Sequence, residues 1–466
     1  MAGTKSFRDP AGHVQRVGDR IFRVIRKPEW KRIEPFWQTD AAADFVGVNI
    51  LSPDTVGSIE GLDLPDAPDD YIIAEHDAVW FPSYPYEWAP EMLHHAGELT
   101  LRIALTALDH QFGLKDATPY NTLFQGPEAV FVDALSVEQR DPGDYTWLPY
   151  AQYIRCFLLP LLANRYFGLP LADIFYTRRD GLEPQEVFRL CSFGQKVRPP
   201  FLDLVSLPTW LSNGKSGNQA IYQKREAGDQ EKAKYILGSQ LRNLQKKTRQ
   251  LAPQKGVSVW SDYEDSHDYS QAEMAVKAAF LESVLAEHQP GYVLDIGCNT
   301  GVFSLMAAKT GARVVAIDLD PVVVGALWKK AKQSQADILP LVVNIARPSP
   351  AVGWCNSECQ SFLERARDRF DLVLMLAVLH HLLVTERIPL EQIFDLAWGL
   401  TSKYLVIEYV DPADAMFKLL TRGREALFAD YNQSGFESAC QSRFEIVARQ
   451  PVGGRDRTLY LLRKRV

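Results

Sequence analysis

The sequence predicts an α/β protein. A doubly wound, mostly parallel sheet is expected over residues 258–466, preceded by an α+β domain over 1–211 and a polar basic helical linker over 212–257. Three observations predict this. The runs YVLDI, RVVAID, ILPLVVN, FDLVLML and KYLVIEY are almost continuously apolar and rich in Val, Leu and Ile, as parallel strands covered on both faces must be. Helical patterns separate them, so the chain alternates strand and helix. Upstream of about Val257 that alternation is absent, and Trp, Tyr and Pro are frequent.

Taken in order, the first part shows short strand-like runs at Arg20–Arg26 and Tyr71–Ala74, then helical patterns at Pro90–Phe112 and Leu148–Phe167. The cluster SNGKSGNQ opens the connector with strong breakers. Glu231–Gln250 then reads as a polar helix bearing Lys232, Lys234, Arg242, Lys246, Lys247 and Arg249. It is either a contact for nucleic acid or an acidic partner, or a solvated helix between domains. The second is favoured, because the helix has an obvious linking role. The end, FEIVARQPVGGRDRTLYLLRK, reads as two strands joined by a Gly-containing turn, a hairpin on the sheet edge.

The segment YVLDIGCNTGVFSLMAAKTGARVVAIDLD carries the chemistry. A strand ends near Asp295, and Gly297 and Gly301 permit a tight turn and close approach of a ligand to the backbone. A helix runs from about Val302 to a C′ glycine, Gly311, and a second strand ends at Asp318. The acid closing that strand is placed to accept ribose hydroxyls. A dinucleotide fingerprint leaves bare backbone for a pyrophosphate at a helix N-terminus. Here a carboxylate precedes G-C-N-T-G, which disfavours phosphate and suits a cationic ligand bearing a ribose.

The order D-x-G-x-x-x-G, with an acid 17 residues after Gly301, resembles the class I S-adenosylmethionine (SAM)-dependent methyltransferases, whose sheet is Rossmann-like. The resemblance covers about Gly291–Val466. It implies SAM as cofactor, held by Asp295, Gly297, Cys298, Asn299, Gly301, Asp318 and Leu319, with Asn344 near the adenine and Leu376 bordering the methyl donor. His380 and His381 follow the fourth strand. A histidine there suits a general base towards a hydroxyl or an activated carbon, its pKa lying near neutrality. The alternative is that one of them packs the following helix. Glu408, ending the fifth strand, is a further candidate base or substrate contact. The N/D-P-P-Y motif that holds an exocyclic amine is missing. Val259–Ser270, with Trp260, Tyr263, His267 and Tyr269, reads as a lid over the cofactor or as a packed aromatic cluster.

In the first part, Asp116 and Asn121 stand five apart and Asp133 follows 12 later. With the preceding long helix, this resembles the catalytic loop and metal-binding hairpin of protein-kinase-like and aminoglycoside-phosphotransferase-like folds. Leu114 stands where those families place His, and neither a G-x-G-x-x-G loop nor a V-A-I-K-type strand is present. A degenerate kinase-like module that selects substrate, or a turn-rich scaffold, is therefore expected rather than active phosphotransfer. Over nearly its whole length, the chain also resembles bacterial two-part methyltransferases that include nodulation proteins of the NoeA type. The resemblance rests on F-P-S-Y-P-Y-E-W, L-K-D-A-T-P-Y-N, W-S-D-Y, L-D-I-G-C-N-T-G and the final R-T-L-Y-L.

Composition bounds the function. With 46% hydrophobic and 23% charged residues the chain is globular, and a net charge of −7 excludes a polycation that coats nucleic acid or anionic lipid. Cys156, Cys191, Cys298, Cys355, Cys359 and Cys440 form no CxxC pair, so reduced thiols and no metal site are expected. The start lacks an apolar core of the signal-peptide kind and no run is long enough to cross a membrane, so a cytoplasmic protein is expected. The acceptor expected is a small molecule or a glycan. RNA methylation guided by the basic helix, and a non-catalytic regulator that binds SAM, stand as rivals.

Overall fold

The computed structural model describes residues 6, 8–64, 67–212, 225–254, 256, 271–453 and 456–465. They form two compact units, residues 1–125 with 129–254, and residues 126–128 with 255–466.

The first unit is α+β. Strands β1 (Gly12–Val17), β2 (Arg20–Arg26), β3 (Val48–Ile50) and β4 (Tyr71–His76) form an antiparallel sheet in the order β1-β2-β4-β3. Helix α1 (Pro90–Asp109) buries one apolar face, including Leu93, Leu101 and Ala104. Pro at its first position suits a helix start, where the missing N–H costs no bond. β5 (Thr122–Gln125) and β6 (Glu128–Phe131) form a two-stranded ribbon. Helix α2 (Gln230–Gln250) falls within the stretch expected as a polar basic helical linker. Its stripe Ala233, Leu237, Leu241 and Leu244 is buried, and it packs on α1 within the first unit. The spacing of these four residues is that of one helix face, and six basic residues outnumber them in the sequence and hide it. The breaker cluster at 212–219 lies, apart from Ser212, outside the described residues.

The second unit begins with α3 (Gln271–His288). It continues through β7 (Tyr292–Ile296), α4 (Val302–Lys309), β8 (Arg313–Asp318), α5 (Pro321–Ser334), β9 (Ile338–Val342) and β10 (Phe370–Met375). Then come α6 (Leu390–Leu400), β11 (Thr401–Val410), α7 (Ala415–Thr421), α8 (Gln433–Gln441), β12 (Phe444–Val452) and β13 (Arg457–Lys464). The seven strands are ordered β9-β8-β7-β10-β11-β13-β12, the first five parallel and the last two antiparallel. Val314, Val315, Ala316 and Ile317 of β8 are all buried, which is why that run shows no alternation. Gly311, at φ 91°, follows the end of α4 as a C′ residue does. Only β12 of the terminal hairpin is the edge. β13 inserts beside β11, and Pro451, which cannot donate to a ladder, sits on the outer strand.

The core centres on β10. Leu374 there is fully buried among Val293, Val314, Leu372 and Val406. Leu374→Ala should cost about 2–5 kcal/mol by lost burial plus a cavity, read as a lower urea midpoint at unchanged slope.

Candidate functional site: a cavity at the strand tips of the second unit

Strand order reverses between β7 and β10, because β8 lies on one side of β7 and β10 on the other. The carboxyl ends of strands diverge at such a point and leave a crevice. A cavity of about 650 Å³ opens here. It is lined by the turn 297–302, by Asp318 and Leu319, by Asn344–Ala346, by Leu376–Val378, by His381 and by Met274 and Lys277 of α3.

The β7–α4 turn is built for close approach. Gly297 has φ 74°, and a Cβ there would run into the Val378 side chain. Gly301, at φ 84°, leaves room only for the Leu327 side chain. The N–H groups of Gly297 and Cys298 donate to the Ile317 carbonyl at 2.8 and 3.1 Å, tying the turn to β8. Asn299, at φ 48°, donates its N–H to Asp318 Oδ2 at 3.0 Å. The Asp320 N–H donates to Asp318 Oδ1 at 3.0 Å. Burial pushes the Asp318 pKa up, against the pull of those two N–H groups. Asn299 Oδ1 is buried with no partner among the described residues. The wall therefore offers acceptors: a carboxylate and an orphaned amide oxygen. These fit ribose hydroxyls and an ammonium group, as SAM carries, and do not fit phosphate.

Residues 268–437 match the family model described as a methyltransferase domain. The second unit contains a methyltransferase domain. Across 98% of its length, the whole chain is 29% identical to nodulation protein NoeA of Rhizobium meliloti (strain 1021), covering 94% of that protein. Among solved structures, it is similar to the N-methyltransferase NodS from Bradyrhizobium japonicum WM9. The identity is 18% and the TM-score 0.32, over 42% of this chain and 99% of that one. It is also similar to the bifunctional kinase-methyltransferase WbdD at 16% identity and TM-score 0.30, over 43% of this chain and 41% of that one.

Within the methyltransferase domain the structure separates the residues singled out by sequence. Gly297, Cys298, Asn299, Gly301, Asp318, Leu319, Asn344, Leu376 and His381 all line the cavity. The Asn344 Oδ1 accepts the Ala346 N–H at 2.9 Å. Burial, with Asp318 and Asp295 nearby, pushes the Cys298 thiol well up, so it stays protonated. Burial also lowers the His381 pKa.

Three other residues singled out by sequence lie outside that lining. Asp295 does not line the cavity. It is buried beneath the turn, where Ser304 Oγ donates to its Oδ2 at 2.6 Å and burial pushes its pKa up to about 6. His380 is likewise buried outside the lining, its ring 4.3 Å from that of His381, with its pKa lowered to about 3 by burial. Glu408 is fully buried at the centre of an ion-pair cluster. It accepts from Lys277 Nζ at 2.7 Å, from the Ala377 N–H at 2.9 Å and from Arg457 Nη1 at 3.4 Å.

Lys277 and Met274 are the residues sequence reasoning missed. They sit in a helix whose sequence shows no motif, and only the fold brings α3 to the strand tips. The expected lid, Val259–Ser270, lies outside the described residues.

In the first unit, Asp133 Oδ1 accepts from Arg23 Nη1 at 2.8 Å and from the Leu135 N–H at 3.3 Å. Asn121 Nδ2 donates to Ser136 Oγ at 3.4 Å. Burial, then the nearby Asp133 charge, raises the Asp116 pKa. No group of three potential metal ligands occurs among the described residues. Nor is any described helix long and apolar enough to cross a membrane.

Proposed function

We propose that the chain transfers the methyl group of SAM to a hydroxyl or carbon of a small molecule or glycan, the first unit selecting the substrate. The observation that carries this is the acceptor set of the cavity, Asp318 with the orphaned Asn299 Oδ1. Asp318 takes the ribose hydroxyls, and Asn299 Oδ1 takes a donor from the amino-acid end. The Asn344 amide oxygen already takes a backbone N–H, so its NH₂ is the group offered to an adenine ring nitrogen. Leu376 and Ala377 border the reacting edge. When bound, SAM supplies a methyl group already activated by its sulfonium, so positioning provides much of the rate gain. His381, neutral through burial, takes the proton of the acceptor hydroxyl on an imidazole nitrogen.

The size of the cavity suits a small ligand or the end of a glycan. The name of the NoeA relative supports a nodulation-type acceptor. The RNA reading is disfavoured, because Lys234 and Lys247 of α2 are paired with Asp109 and Asp203 of their own unit. Phosphotransfer by the first unit is opposed by the Arg23–Asp133 pair, which already occupies the carboxylate a metal would need.

Calorimetry with SAM tests the donor assignment. Asp318→Ala should weaken binding about 10- to 100-fold, the loss of charge-assisted hydrogen bonds. Equal affinities for variant and wild type would defeat the ribose role. Label uptake from methyl-labelled SAM into fractionated extract should then identify the acceptor, and no uptake in any fraction would favour a regulator.

A further inference from the structure

We infer that the buried Lys277–Glu408 pair sets the donor specificity of the cavity, favouring a sulfonium cation over a neutral thioether. This rests on the SAM reading above. Lys277 lines the cavity and its side chain is 2% exposed, with Nζ 2.7 Å from Glu408 Oε2. Glu408 lies directly behind it, 0% exposed, and is also 3.4 Å from Arg457 Nη1. Arg457 in turn donates from Nε and Nη2 to Asp414 at 2.9 and 3.0 Å. Four buried charges thus alternate in sign: Lys277, Glu408, Arg457, Asp414.

The position of this chain of charges matters more than its stability. A lysine on the wall of a cavity that receives a cation is repulsive at low dielectric, unless a carboxylate stands beside it. Glu408 supplies that carboxylate. The same Oε2 accepts the Ala377 N–H, and Ala377, at φ 55°, is itself part of the cavity wall. One oxygen therefore neutralises the lysine and holds a left-handed alanine in place, a conformation that surrounding structure must maintain.

SAM and its product S-adenosylhomocysteine share every group except the methylated sulfur, so the ratio of their affinities reads the field at that atom. Both are titrated by calorimetry into wild type, Glu408→Gln, Lys277→Met and the double variant, with thermal melts confirming folding. Glu408→Gln should shift the ratio about tenfold toward the neutral thioether, leaving a lysine without its carboxylate. Lys277→Met should shift it the opposite way, and the double variant should return it near wild type. Damage to packing alone would lower both affinities together and could not reverse sign. An unchanged ratio in all variants, with wild type binding both ligands, overturns this inference alone. Failure of wild type to bind either ligand overturns the donor reading beneath it.

Discussion

Gly297→Ala should lower SAM affinity more than about 100-fold while leaving the sheet folded. Two costs coincide at this position. An L-residue at φ 74° carries about 1–2 kcal/mol of backbone strain. The new Cβ would also occupy the space of the Val378 side chain, which lies on the cavity wall. Relief requires the turn to retract or the segment after β10 to move. Retraction breaks the pair of N–H bonds to the Ile317 carbonyl and swings Asn299 away from Asp318 Oδ2. Gly311→Ala is the matched control. Its φ is 91°, but nothing lies within 4 Å of the added Cβ. That variant should lose about 1 kcal/mol of stability and keep its affinity. Calorimetry with SAM beside urea unfolding separates the two. A Gly297→Ala protein that binds within threefold of wild type would show that the turn does not approach the ligand.

The parallel sheet was legible because burial on both faces leaves uninterrupted apolar runs, and β7 to β11 all show them. The turn after β7 was legible because its geometry is local. Positive φ at Gly297 and Gly301, and an acid closing the next strand, are contained within about 25 residues of sequence. What lies between distant segments was not legible. Nothing near Asp295 says that its carboxylate turns inward to Ser304, away from the cavity. Glu408 reads as a strand-end acid, and its partners Lys277 and Arg457 stand 131 and 49 residues away. His380 and His381 are neighbours of equal chemistry, and only the path of the backbone decides which one meets the cavity. The packing of helix α2 was hidden for another reason. Its basic residues dominate its composition, yet four well-spaced apolar side chains decide where it packs.

His381→Ala should lower kcat about 10²- to 10⁴-fold on the identified acceptor, with SAM affinity changed less than about threefold. The residue touches the cavity but is not among the groups that take the ribose or the amino-acid end, so donor binding should survive its loss. The pH dependence carries the sharper test. Burial lowers the His381 pKa below its ordinary 6.5, so the imidazole stays unprotonated across neutral pH. The wild-type rate should be flat there, and should fall only as the pH drops through that lowered value. The variant should lack this acid limb, and added imidazole should restore part of its rate. Retention of more than half of kcat, or an acid limb identical in both proteins, would assign the proton transfer elsewhere. The neighbouring His380 sets the lower bound of such a profile. Its folded-state pKa is about 3 against 6.5 when exposed, so between those values the unfolded chain binds more protons. Stability from this group is complete above about pH 6.5 and is lost progressively as the pH falls. The rate limb must therefore be read alongside unfolding at each pH, and His380→Gln, which removes the second titration, separates catalysis from folding.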